Sequence, residues 1–71
     1  MALNAERTAA AKQEATTFLE YSIFVLCTLL GLDPASVNHP YTVPTTDGDP
    51  FHDQHVALEK QVAALDAITG A

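Results

Sequence analysis

The chain of 71 residues contains a single cysteine, Cys27. One thiol excludes an internal disulfide and cannot furnish the Cys pairs of a zinc knuckle. Basic residues are nearly as scarce, with three lysines and arginines against nine acids for a net charge of -6. A surface so poor in cations has little with which to displace counterions from a phosphate backbone, so no nucleic-acid partner is expected. Long apolar runs are missing too. Phe18 to Leu32 spans 15 residues and is interrupted by Glu20, whereas a bilayer core requires about 20. Widening the window to Ala15 gives 18 residues, with no lysine or arginine near either edge to anchor them. Asn4, Glu6 and Arg7 precede an alanine and threonine tract, which is not the pattern of a secretory signal, so no export is expected. A glycine-rich phosphate loop is likewise absent. A chain this short leaves little room for a pocket of about 300 Å³, and no enzyme is expected.

Apolar residues make up 48% of the composition, but 12 of the 34 are alanine, which thins the available core. A domain of this size buries only about 60% of its unfolded surface and seldom gains more than roughly 3 to 5 kcal/mol. From Ala5 to Leu30 there is no proline or glycine, and good helix formers are frequent, which predicts one long helix. Gly31 should end it in the left-handed conformation, with Leu32 folding back onto the Leu26 or Cys27 turn. Asp33-Pro34 reads as a cap followed by a single short turn to Val37. Asn38 to Asp49 should form an extended connector with a turn at Asp47-Gly48. The 18 residues from Leu32 to Asp49 exceed the usual 2 to 8 between paired helices, so the connector should lie across the molecule. Asp49-Pro50 repeats the cap pattern, with the Asp49 carboxylate expected to accept the His52 amide, and the second helix should run from about 50 to 69. The expected fold is all-α: a helical hairpin in which a long N-terminal and a shorter C-terminal helix are joined by a long extended connector.

In the second helix Phe51, His55, Leu58, Val62 and Leu65 recur at spacings of 4, 3, 4 and 3, with Ile68 extending this seam. Val56, Ala57, Ala63 and Ala64 form a smoother second face. The first helix changes character along its length. Ala5 to Thr17 reads as an exposed or weakly packed stretch, whereas from Ile23 to Leu32 the only polar side chain is Thr28, and large hydrophobes cover every side. One partner helix covers a third to a half of that circumference. Ile23, Phe24, Val25, Leu26, Leu29, Leu30 and Leu32 are worth about 1.5 to 3 kcal/mol each when buried, so half-covering them forgoes a large energy. Burial by other chains is therefore expected, unless the connector folds back over the open side.

Asp47, Asp49, His52, Asp53, His55 and Glu59 make the densest polar cluster. Imidazole and carboxylate at such spacings can ligate a divalent ion, but His55 falls on the apolar seam, and an ordinary capping and interface role is expected instead. A histidine within an interface also offers a pH-sensitive contact. Asp47-Gly48-Asp49 has the opening residues of a calcium loop, yet the twelfth position holds Leu58 rather than glutamate. Cys27 lies within the most apolar stretch and is expected to be inert packing.

The expected function is non-enzymatic: a structural or assembly subunit packing its apolar helix into a homo-oligomer or a larger protein complex, for example as an accessory component of a phage particle. Ile23, Phe24, Leu26, Leu29 and Leu30 are its expected partner-binding residues, with Tyr41 and Val43 pinning the connector. No cofactor or metal is expected, and the compartment would be the cytoplasm or a virion. Residues 1 to 32 carry a net charge of -1, while residues 33 to 71 carry -5. That asymmetry supports a rival reading as an acidic inhibitor of a basic nucleic-acid-binding site on an enzyme. A small membrane-associated subunit is the third reading.

Overall fold

A computed structural model describes residues 2–70. Helix α1 spans Ala2–Leu30, a 3₁₀ turn covers Pro34–Ser36, and helix α2 spans His52–Thr69. There is no strand among the described residues, and the two helices pack against each other as an all-α hairpin.

Local chemistry sets the ends of each element. The amide of Leu32 donates to the Cys27 carbonyl at 2.8 Å and that of Gly31 to Thr28 at 3.3 Å. Together these bonds form the Schellman closure. Gly31 has φ 74°, a conformation that a side chain would strain. Leu32 folds back onto the core, as its position two residues past the helix requires. Asp33 accepts the Ala35 amide at 3.0 Å and the Ser36 hydroxyl at 3.2 Å, holding the short turn. The start of α2 departs from expectation. The Asp49 carboxylate accepts the Phe51 amide at 2.9 Å, making an Asx turn, while the His52 amide donates to the Asp49 backbone carbonyl at 3.2 Å, and α2 begins at His52. Phe51 therefore stands outside the helical register and is exposed rather than part of the α2 seam.

Ile23 and Cys27 of α1 meet Leu58 and Val62 of α2 in the core, and the last three are fully buried. Leu26, Leu30, Leu32, Val37, Tyr41 and Leu65 pack around them. The connector thus folds back over one side of the helix pair. At 1.5 Å per residue α1 is about 43 Å long and α2 about 27 Å, so roughly the first dozen residues of α1 extend past the hairpin. Asn4 to Glu14 are all exposed, and the molecule is 52 Å long but only 19 Å and 17 Å across. No helix among the described residues is long and apolar enough to cross a membrane.

Candidate interaction surface

The helical period decides which α1 side chains the hairpin uses. Ile23 and Cys27, with Leu26 and Leu30 beside them, turn toward α2 and the connector. A step of about 100° per residue puts Phe18, Tyr21, Val25 and Leu29 on the opposite side. Phe18 is 66% exposed and Tyr21 68%, while Val25 and Leu29 are each about half exposed. Thr28 falls on the same side, and its hydroxyl donates to the Phe24 carbonyl at 2.9 Å. With that hydroxyl bonded, Thr28 presents its methyl group, and the hydroxyl left in the stripe is that of Tyr21.

Sequence reasoning and structure divide the expected partner residues differently. Phe24 and Leu29 are outward-facing and exposed. Ile23 is buried in the chain's own core, and Leu26 and Leu30 pack against it. The physical reason is the helical phase: these three share the face that α2 and the connector cover. Tyr41 also packs against this core, and half-buried Val43 lines an open depression of about 400 Å³ with Asp47, Asp49 and His52. An open space of this size is larger than the chain length had suggested, and it lies between the 43–49 stretch of the connector and His52. Phe18 and Tyr21, which lie before the apolar stretch that starts at Ile23, are not among the residues expected from composition, and their signal in the sequence is the spacing of 3, 4 and 4 from Phe18 through Tyr21 and Val25 to Leu29.

Two histidines fasten the connector to α2. The Tyr41 hydroxyl lies 2.6 Å from His55 Nδ1, and the two rings are nearly parallel. His55 Nε2 lies 3.4 Å from the Asp49 carboxylate. The tautomer with its proton on Nε2 satisfies both neighbours, because it faces the Asp49 carboxylate with a donor and leaves Nδ1 to accept from the Tyr41 hydroxyl. At the other end of the connector, His39 Nδ1 donates to Asp66 at 2.7 Å. Burial, with smaller contributions from Cys27 and Asp49, pushes the Tyr41 phenol above its ordinary range. This favours the neutral hydroxyl that donates to His55.

The polar cluster is dispersed by these contacts. His55 is occupied by Tyr41 and Asp49, while His52, Asp53 and Glu59 are exposed. No group of three metal-ligating side chains converges among the described residues. Cys27 is fully buried, and its thiol is pushed up by desolvation and then by Asp33. Both factors suppress the reactive thiolate. Cys27 should therefore label with a thiol reagent at least about a hundredfold more slowly in the native chain than in the denatured chain. Equal rates in a timed labelling assay would refute its burial.

Comparison with protein-family models, curated proteins and solved structures found no match.

Proposed function

We propose that this chain is a non-enzymatic assembly subunit that delivers the outer face of α1 into a complex with other protein chains. One observation carries the reading: Phe18, Tyr21, Val25 and Leu29 form an exposed apolar stripe on the side of α1 opposite its own core. Scattered exposed hydrophobes are ordinary, but a contiguous row along one helix face is a feature of interaction sites. The connector covers the other open side of the hairpin and does not relieve this one. Charge favours the same reading. The stripe carries no ionised side chain, and most of the negative charge belongs to the connector and α2.

The test is the mass of the full chain in extract from its native source and after purification, with and without Val25→Asp and Leu29→Asp together. The parent should elute well above 7.6 kDa, and high salt should leave that complex intact because apolar contacts hold or strengthen there. The double variant should lose the complex and keep its helical circular dichroism. A parent that is monomeric in both settings would end the assembly reading. A complex that dissociates steeply with salt would favour charge-driven capture by a basic partner instead.

A further inference from the structure

We propose that a cleft beside the α1 stripe receives a lysine or arginine side chain of the partner chain. The proposal rests on the assembly reading above and adds the chemistry of one contact. The cleft measures about 330 Å³, and among its lining residues are Glu20, Ile23 and Phe24 of α1, Pro34 of the short turn, His39 of the connector and Leu65 of α2.

Both polar groups in this lining accept hydrogen bonds. His39 spends its Nδ1 proton on Asp66, so the neutral ring is left with Nε2 as an acceptor, and its side chain remains 44% exposed. Glu20 offers a carboxylate. An occupant must therefore donate. Charge narrows the choice further, because no lysine or arginine lines the cleft and the Asp66 carboxylate stands directly behind His39. An anion would meet two carboxylates and no fixed cation. The ion pairs among the described residues are both histidine–carboxylate contacts, so none of Arg7, Lys12 and Lys60 neutralises Glu20. The missing cation has to come from another molecule.

The remaining walls suit a long cationic side chain. Ile23, Phe24 and Leu65 offer apolar surface to an aliphatic stem. The Phe24 ring, 56% exposed, offers its face to the charged head. Phe24 also joins the cleft to the stripe, since Tyr21 and Thr28 lie three and four residues from it on the same helix and are its surface neighbours. A chain seated on Phe18, Tyr21, Val25 and Leu29 thus has the cleft within a side chain's reach. A single ion pair there gives selectivity and direction to a contact that stays mainly apolar.

Amide chemical shifts of the full chain, titrated with n-butylguanidinium and n-butylammonium, test the cleft without the partner. Butanol and butyrate are the controls. Both cations should move the amides of Glu20, Phe24, His39 and Leu65 along saturating curves, with butanol binding more weakly and butyrate leaving them in place. Glu20→Gln should weaken the cations by roughly threefold to tenfold and leave butanol binding and helical circular dichroism unchanged. In native extract the same variant should lower the share of the chain held in the large complex. Cations that bind no better than butanol, or that bind Glu20→Gln as well as the parent, would overturn the proposal, while the Val25→Asp, Leu29→Asp result decides the assembly reading separately. Specific cation binding beside a native complex indifferent to Glu20→Gln would overturn it too, because the cleft would then serve a small cation and not the partner. A chain found in no complex removes the partner, and this proposal with it, whatever the titration shows.

Discussion

Leu58→Ala should leave the chain largely unfolded at room temperature. Leu58 is fully buried against Ile23, Cys27 and Val62. Truncating a leucine in such a position costs about 2 to 5 kcal/mol, the lost transfer energy plus the cavity left behind. The entire stability expected of a core this small is about 3 to 5 kcal/mol. Relaxation offers little relief, since only Ile23, Cys27, Leu58 and Val62 are buried among the described residues. The check is helical circular dichroism through a urea titration, in which the variant should show a transition midpoint near zero denaturant. A midpoint like that of the parent would mean the hairpin is held elsewhere. The same argument explains why Leu26→Asp or Leu30→Asp is a poor probe of assembly. Both residues pack on the internal core, so a charge there attacks the fold first.

Tyr41→Ala should be the next most damaging change, at roughly 2 to 3 kcal/mol, because it removes half-buried aromatic surface and leaves His55 without its hydroxyl partner. Tyr41→Phe keeps the ring and should cost about 1 to 2 kcal/mol, the penalty of an unpaired acceptor. Amide hydrogen exchange should accelerate from Leu32 to Val43 in the alanine variant, where the connector loses its hold on α2. The pH dependence is specific. Tyr41 and Cys27 both have folded pKa values raised above the unfolded ones, so the folded state holds these protons more tightly. Their contribution is fully present below the ordinary thiol and phenol ranges and is lost as pH rises through the raised values. Denaturant midpoints should therefore decline at alkaline pH, and less so in Tyr41→Phe. A parent whose midpoint is flat through that range would contradict the raised values.

The caps show how far local rules reach. Gly31 with Leu32, and Asp33 with Pro34, behave as their positions require because the relevant bonds join residues only a few places apart. Asp49 shows where such rules lose resolution. Its carboxylate had two nearby amides to choose between and took Phe51, which moved the first turn of α2 and removed Phe51 from its seam. The contacts of Tyr41 with His55 and of His39 with Asp66 span 14 and 27 residues. No periodicity within a single segment encodes pairs so distant, and both came from how the connector crosses α2.

The candidate surface was legible in kind but not in place. An excess of large hydrophobes after Thr17 follows from composition and helical period, and so does the need to cover them. Which of them face inward depends on the side from which α2 and the connector approach, and that is decided by packing. Once Ile23 and Cys27 face Leu58 and Val62, the geometry of a helix turns Phe18, Tyr21, Val25 and Leu29 outward. Helix formation, chain reversals and overall charge were thus determined by the sequence alone, because neighbours in the chain produce them. Inside and outside on α1 were settled only by the tertiary structure, because a helix with apolar residues all around has no preferred face until a partner chooses one.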